Sequence, residues 1–494
     1  MDFVECIILF LAIAWIVVVA LTGARKPSGL PPGPHRVPVI GNILELGSKP
    51  HRSLATLAGK YGPVMSLKLG TRTTVVISAP EEAKMVMQKH DLIFSGRSIP
   101  GAAETLRHSD FSMAWLPVDH QWRKLRKICK EQMFSAARLD SSQGLRKAKL
   151  RQLSDHVGDC AAAGRAVDIG EAAFTTSLNL MSASLFSMDF AKFDSDSSQE
   201  MKDVVWGVMK GVGSPNLSDY FPVLKRADPQ GILRETEKYF QKLFDIFDDI
   251  IDKRMKSRKD KKDDLLEALI DLNLRDETEL SLNDIKHLLL DLFVAGADTT
   301  SGTVEWAMSE LMRRPEKLSR ARDEIRGLIG ETGEMQESDI QNLPYLQAVV
   351  KETFRFHPAA PFLMPRKAET DVEINGYIIP KDCQILINFW ASGRNSNVWS
   401  DAETFMPERF LEGDARKIDY RGKDFELIPF GAGRRICPGL PLAHRMVHLM
   451  LATLVHGFGW KLEEGVKAAE IDVDEKFGLT LQKAKPLRAI PLKL

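Results

Sequence analysis

The sequence lacks a net charge and a cysteine framework. Its 494 residues carry 67 basic and 67 acidic side chains, so no long-range field favours nucleic acid or an anionic partner. The five cysteines are odd in number and form no C-x-x-C pair, which argues against disulfides and structural zinc. No G-x-G-x-x-G follows a predicted strand, so we expect no nicotinamide or flavin module within the chain. These absences favour a large globular protein in a reducing compartment.

A long apolar run lies near the N-terminus. Residues 6–24, CIILFLAIAWIVVVALTGA, contain no charge and as a helix would cover about 28 Å, the thickness of a bilayer core. Acidic residues precede this run, whereas Arg25 and Lys26 follow it. A cleaved signal peptide, the alternative, has basic residues first. We therefore expect a membrane anchor over residues 1–24, and the positive-inside rule then keeps the rest of the chain in the cytosol.

Prolines mark the one clear domain boundary. Five prolines fall within residues 25–38, where they predict a stiff hinge rather than a helix or a central strand. No internal repeat, low-complexity tract or second linker follows. Residues 39–494 are therefore predicted to form a single catalytic domain.

Helical patterns dominate this domain. Residues 281–314 contain no proline and predict one long helix, and a second helix is predicted from Pro344 to a stop before Pro358. Short alternating stretches, VVIS, INGYIIP and CQILINF, predict strands. The predicted fold class is mainly α with small β-sheets.

One cysteine stands among glycines and arginines in PFGAGRRICPG, residues 429–439. Glycine leaves backbone N–H groups accessible, and a helix predicted to begin at Pro438 directs its positive end toward Cys437. Both features lower the pKa of a thiol and suit a metal thiolate. For Cys437 taken alone, a buried and inert thiol is the alternative.

The spacing within this stretch favours the metal thiolate. It resembles the haem-binding signature F-x-x-G-x-R-x-C-x-G of the cytochrome P450 family at all five defining positions: Phe430, Gly433, Arg435, Cys437 and Gly439. The resemblance implies haem b, with Cys437 as the thiolate ligand of the iron and Arg435 on a haem propionate.

The resemblance covers nearly the whole chain. It is closest to the plant microsomal group of geraniol 8-hydroxylase and ferruginol synthase, as in PNLSDYFPVLKRADPQGI and EKFGLTLQKAKPLRAIP. It implies the cytochrome P450 fold behind one N-terminal transmembrane helix. It also implies single-pass attachment to the endoplasmic reticulum membrane, with the catalytic domain facing the cytosol.

The long helix carries AGADTTSGT at its middle. A carboxylate there is costly unless it is paired, and a threonine hydroxyl can bond back to a carbonyl of the helix. A solvent-facing Asp298 with ordinary helical threonines is the alternative for this motif alone. The motif resembles the family's oxygen-activation sequence A-G-x-D-T. The resemblance implies that Thr299 hydrogen-bonds the oxygen being activated and that Asp298 links it to solvent protons.

Three further motifs follow the family's order along the chain. Glu352 and Arg355 lie three apart on one helix face, which alone indicates no more than a surface pair. They resemble the family's E-x-x-R, with Arg409 in FMPERF as the third member of a buried ion network. The resemblance also implies haem propionate contacts from Trp122, Arg126 and Arg366.

A cationic stripe is predicted on another face of the Trp122 helix, formed by Arg123, Lys127 and Lys130. A solvated face is the alternative. The resemblance implies a docking surface for an acidic flavoprotein, the NADPH–cytochrome P450 reductase, through which NADPH acts.

The resemblance further implies an apolar distal pocket, which suits a lipophilic molecule. Its predicted lining is Met113, Trp115, Phe293, Ala295, Ala360, Phe362, Leu363 and Leu479, although each could instead be core packing. The expected function is a monooxygenase that uses O2 to hydroxylate a monoterpenoid or diterpenoid. The alternatives are an alkaloid or phenolic substrate, a haem-thiolate isomerase or dehydratase that needs no reductase, and a non-enzymatic haem sensor.

Overall fold

The computed structural model describes residues 29–256, 261–275 and 280–494. The predicted anchor, residues 1–24, and the start of the predicted hinge lie outside the described residues. Within the described ranges, no helix is both long enough and apolar enough to cross a membrane.

α-Helices are the predominant secondary structure of the described chain. They are α1 Pro50–Tyr61, α2 Pro80–Lys84, α3 Gly101–Glu104, α4 His120–Cys129, α5 Ala136–Ser141, α6 Gln143–Ala162, α7 Ile169–Phe186, α8 Asp196–Gly213, α9 Leu217–Tyr220, α10 Ile232–Lys256, α11 Leu265–Leu274, α12 Leu282–Arg313, α13 Pro315–Ile329, α14 Pro344–Phe356, α15 Phe389–Ser392 and α16 Leu440–Gly457. π-Turns at Met85–Lys89 and Lys130–Phe134 continue α2 and α4.

The strands are short and form small sheets. They are β1 Val64–Leu69, β2 Arg72–Ile77, β3 Gly96–Arg97, β4 Val167–Asp168, β5 Arg366–Lys367, β6 Val372–Ile374, β7 Tyr377–Ile379, β8 Gln384–Ile387, β9 Phe458–Leu462, β10 Glu475–Phe477, β11 Leu481–Lys483 and β12 Arg488–Lys493. The largest sheet has the order β1-β2-β8-β5-β3, in which only β2 and β8 pair in parallel. The prediction of a mainly helical fold with small sheets is confirmed.

The ends of α12 follow from local sequence chemistry. The hydroxyl of Ser281 accepts a hydrogen bond from the N–H of Asp284, and the Asp284 carboxylate accepts one from the N–H of Ser281, which forms a capping box. Pro315 starts the next helix, so α12 ends at Arg313. The predicted boundaries are therefore within one residue of the observed ones.

Two sequence predictions need correction. INGYIIP does not form one strand, because Asn375 and Gly376 have φ values of +50° and +78° and make the turn of the β6–β7 hairpin. The helix expected to start at Pro438 starts at Leu440, with Gly439 as its N-cap. In both cases the type of element is right and its boundary is wrong.

The core is divided along α12. Side chains of its first half, such as Phe293 and Ala297, pack in a cluster with α7, α8 and α10. Those of its last part, such as Val304 and Leu311, pack in a second cluster with α14, α16 and β8. Residues 298–303 belong to neither cluster, so the middle of α12 keeps its polar and small side chains between them. This division leaves room for an interior site.

Candidate active site

An interior cavity of about 360 Å³ lies beside the middle of α12. Cys437, in the loop before α16, forms one part of its wall, and Ala295 and Thr299 of α12 form another. Most of the remaining wall is apolar. The thiol and the helix motif that the sequence analysis identified therefore face the same space.

The loop before α16 holds Cys437 at the cavity with its sulfur exposed to that space. Gly433 has φ of +69°, and a Cβ there would lie 2.3 Å from the carbonyl oxygen of Met87, so no larger residue fits. The N–H of Cys437 donates to the carbonyl of Phe430, 2.9 Å away. The ring of Phe430 lies edge-on to that of Phe354 and also lines the cavity.

Two opposing effects act on the thiol of Cys437. Burial within the protein raises its pKa, while the N–H groups of Gly439 and Leu440 and the charge of Arg126 act to lower it. Burial has the larger effect, so the pKa is raised, contrary to our expectation that the glycines and the helix end would lower it. A metal ion on the cavity side would stabilise the thiolate against this effect of burial.

Four guanidinium groups also line the cavity, those of Arg97, Arg126, Arg366 and Arg435. Burial lowers the pKa of each, to about 10 for Arg366 and for Arg435, and repulsion among the group adds to the effect on Arg97 and Arg435. Arg97 stands directly opposite Arg366 in the β3–β5 pair, a destabilising arrangement of like charges.

The hydrogen bonds of these guanidinium groups leave their charge uncompensated. Among the described residues, they donate only to backbone carbonyls, as from Arg97 to Ala114 and from Arg366 to Phe94. The Nη1 atom of Arg435 is buried and has no partner. The cluster therefore fits a ligand with anionic groups, and these arginines would hold the two propionates of a haem bound through Cys437.

Arg97 was missed by the sequence analysis, and Trp122 lines the cavity with two protein contacts that the sequence did not predict. Nothing in the sequence around Arg97 shows that β3 pairs with β5, so its position opposite Arg366 could not be inferred. The Nε1–H of Trp122 donates to the carbonyl of Met113 at 3.1 Å, while the guanidinium of Arg435 lies 5.0 Å above the Trp122 ring. Trp122 thus supports Arg435 in this structure.

The middle of α12 places Thr299 and Asp298 in different surroundings. Thr299 lines the cavity, and its hydroxyl donates back to the carbonyl of Ala295 at 2.8 Å. Asp298 is only 3% exposed, which excludes a solvent-facing carboxylate in this conformation. Its oxygens accept hydrogen bonds from Thr480 and Gln482, and burial raises its pKa against the effect of these two donors.

The structure brings the three predicted members of the ion network together. Arg355 binds Glu352 through two hydrogen bonds of 2.7 Å, and Arg409 reaches the same carboxylate at 3.2 Å. The side chains of Glu352 and Arg355 are 0% exposed, so the surface-pair alternative does not apply. The two guanidinium groups also donate to carbonyls of residues 393–404, which ties α14 to the chain that leads to the Cys437 loop.

Six of the eight residues predicted to line a substrate pocket do line the cavity: Met113, Trp115, Ala295, Ala360, Leu363 and Leu479. Phe293 and Phe362 are not among the lining residues. Phe293 packs against the rings of Phe190 and Phe247, and Phe362 packs against the ring of Phe477. Both are core aromatics, because their rings pack against neighbouring aromatic rings and do not contact the cavity.

A thiol that faces the cavity, beside a group of arginines that need anionic partners, fits a haem-thiolate site. The family model described as Cytochrome P450 matches residues 31–488. The chain therefore belongs to the cytochrome P450 family and is a monooxygenase of that family, for which haem with a cysteine thiolate ligand is implied.

Several curated plant proteins are similar over nearly their full length. Cytochrome P450 76T24 of Catharanthus roseus is 57% identical, covering 97% of this chain and 97% of that protein. Ferruginol synthase of Salvia miltiorrhiza is 50% identical, and so is geraniol 8-hydroxylase of Catharanthus roseus; each comparison covers 95% of both chains. The resemblance to this plant group is thereby confirmed.

Proposed function

We propose that this protein is a membrane-anchored monooxygenase that hydroxylates a lipophilic monoterpenoid or diterpenoid. The observation that carries the proposal is a single cavity with Cys437 and the arginine cluster in one part of its wall and apolar side chains with Thr299 in another. The names of two relatives, ferruginol synthase and geraniol 8-hydroxylase, support a terpenoid. Apolar walls select such a molecule by shape and exclude water from it.

Each part of the cavity wall has a separate task in this proposal. Haem bound through Cys437 supplies oxygen activation, which the thiolate favours by donating electron density to the iron. The guanidinium groups of Arg97, Arg126, Arg366 and Arg435 would hold its propionates. Thr299 offers a hydroxyl at the cavity surface, and the preceding residue, Asp298, would supply the buried carboxylate that moves a proton to it.

Electrons come from an NADPH–cytochrome P450 reductase in this proposal. Arg123, Lys127 and Lys130 are all exposed along one side of α4 and the π-turn that follows. Among the residues that the structure describes, the stripe forms one ion pair, in which the carboxylate of Glu131 lies 3.9 Å from Lys127. The stripe thus keeps most of its positive charge available for an acidic partner, since exposed pairs are weak.

The membrane attachment in this proposal depends on residues 1–24. Their apolar composition and flanking charges support a single-pass anchor in the endoplasmic reticulum membrane, with the catalytic domain on the cytosolic side. Such an anchor would place the cavity close to lipid, in which terpenoid substrates accumulate.

The test is turnover by membranes that contain this protein and a plant reductase. Monoterpene alcohols, abietane diterpenes, phenolics and alkaloids are supplied with NADPH, and products are read by mass for one added oxygen. Membranes with Cys437→Ala are the control. We expect oxidised terpenoids only when reductase and NADPH are both present. Oxidation of phenolics or alkaloids alone would contradict the proposed terpenoid substrate. Reductase-independent conversion of a fatty hydroperoxide would contradict the proposed monooxygenase reaction.

A further inference from the structure

The carboxylate of Asp298 is held by a turn that comes from the far end of the chain. Its Oδ2 accepts a hydrogen bond from the hydroxyl of Thr480 and its Oδ1 accepts one from the Nε2–H of Gln482, both at 2.6 Å. Asp298 forms no ion pair with any residue that the structure describes. The two donors are therefore its direct partners, and Lys202 on α8 acts only at longer range to favour the charged form.

This segment, residues 478–482, consists of the turn after β10 and the first two residues of β11, and it is itself firmly anchored. The N–H of Leu479 donates to the carbonyl of Met209 on α8, and the N–H of Leu481 donates to the carbonyl of Ala359, both at 2.8 Å. A Cβ on Gly213 would lie 1.8 Å from the backbone nitrogen of Leu479, which shows how closely α8 approaches the turn. The donors to Asp298 therefore occupy fixed positions.

The same turn forms part of the cavity wall. Leu479 and Thr480 line the cavity, whereas Asp298 does not. Thr480 thus contacts the cavity on one side and donates to the carboxylate of Asp298 on the other. Thr480 is therefore placed to lie on a proton path between Asp298 and the cavity.

We propose that Thr480 and Gln482 are positioning residues that orient the carboxylate of Asp298 away from the cavity and favour its charged form, and that they thereby set how much oxygen consumption yields product. The inference rests on the proposed role of Asp298 in proton delivery to Thr299. Two short hydrogen bonds to a buried carboxylate favour its ionised state, because each lowers the free energy of the anion but not of the acid. Loss of either donor removes one of the interactions that oppose the effect of burial on the pKa of Asp298.

The test compares Thr480→Val and Gln482→Leu with Thr480→Ser, which keeps the hydroxyl. The first readout needs no turnover: the full-length protein is titrated by infrared spectroscopy, and the band of the Asp298 acid is identified by subtracting Asp298→Asn. We expect the acid band to persist to higher pH in Thr480→Val and Gln482→Leu and to match wild type in Thr480→Ser. The sign follows because removing a donor to the anion raises the pKa of the acid.

The second readout is product formed per NADPH consumed with a substrate found by the turnover assay. We expect this ratio to fall roughly three- to tenfold in Thr480→Val and Gln482→Leu, a change that corresponds to one lost hydrogen bond. The ferrous–CO spectrum should be unchanged. Gln482 lies at a half-buried position, so Gln482→Leu decides the question if Thr480→Val does not fold.

Different results would contradict the positioning role of Thr480 and Gln482 and the proton-delivery role of Asp298. An unchanged infrared titration in both Thr480→Val and Gln482→Leu would overturn the positioning role. If Asp298→Asn itself keeps normal product per NADPH, the proton-delivery role of Asp298 is wrong, and with it the link from the turn to coupling, even where the titration shifts as expected.

Discussion

Two groups of enclosed arginines in this molecule differ in how their charge is compensated. Arg355 and Arg409 bind the carboxylate of Glu352 and several carbonyls, so a protein anion balances part of their charge. The arginine cluster at the cavity, Arg97, Arg126, Arg366 and Arg435, donates only to carbonyls among the described residues. The first group stabilises the fold, whereas the charge of the second group requires an anionic ligand.

The comparison gives a rule for finding cofactor sites in a chain without its cofactor. A buried charge is costly unless a partner compensates it, so a sequence that keeps several like charges together has a use for them. Here the like charges even oppose one another across β3 and β5, at Arg97 and Arg366. Their position beside Cys437 indicates that one anionic, metal-containing ligand satisfies both.

The largest effect is expected at Cys437. Cys437→Ala removes the only side chain of the loop that can act as a thiolate ligand, so the thiolate-type ferrous–CO spectrum and NADPH-dependent product formation should both disappear. Difference spectroscopy of the full-length protein checks this. Cys383→Ala, at a thiol buried away from the cavity, is the control and should keep both signals.

The second largest effect is expected when the carboxylate that compensates Arg355 and Arg409 is removed. Glu352→Gln leaves Arg355 and Arg409 buried without an anion, and we expect a loss of about 3–5 kcal/mol in the free energy of unfolding. Urea unfolding followed by fluorescence measures it, with the exposed Glu373→Gln as the matched control, expected within about 0.5 kcal/mol of wild type. A small effect in Glu352→Gln would contradict the assignment of this group to fold stability.

In the arginine cluster at the cavity, by contrast, removal of a charge should weaken haem binding without destabilising the haem-free protein. Arg97→Leu removes a repulsive charge, so the haem-free protein should unfold at the same temperature as wild type or a higher one, whereas haem should dissociate roughly tenfold faster. Transfer of haem to an acceptor globin measures the rate. Arg97→Lys, which keeps the charge without the fork of donors, should lie between the two. A destabilised haem-free protein with normal haem retention would remove the distinction between the groups.

Exposed cations should show the smallest effect. Replacing Arg123, Lys127 and Lys130 with Gln should slow reduction by the reductase a few-fold, on the order of the rate changes that rim charges cause, and the difference should vanish at high salt. The rate of NADPH-dependent reduction at low and high ionic strength measures it. Lys476→Gln, an exposed charge on β10, is the control. A salt-independent defect would indicate a structural change in α4 instead.

The residues themselves predicted those parts of the site that lie close together in the chain, whereas the family resemblance supplied distant members such as Arg126, Arg366 and Arg409. Glu352 with Arg355, the Cys437 loop and the α12 motif each depend on spacing within one element, which periodicity and turn chemistry determine. The partners of Asp298 lie in a turn about 180 residues later in the chain, and only tertiary packing brings them together. For the same reason the pairing of Arg97 with Arg366 was not predictable.

The central claim, that the arginine cluster exists to bind the anionic groups of a haem, is tested most directly with a haem that lacks them. Haem and its dimethyl ester share the iron and the macrocycle, but the ester carries no propionate charge. We predict that the full-length, haem-depleted protein binds the ester at least roughly tenfold more weakly than haem, since several charge-assisted hydrogen bonds are lost. Equal affinity for the two would contradict the account.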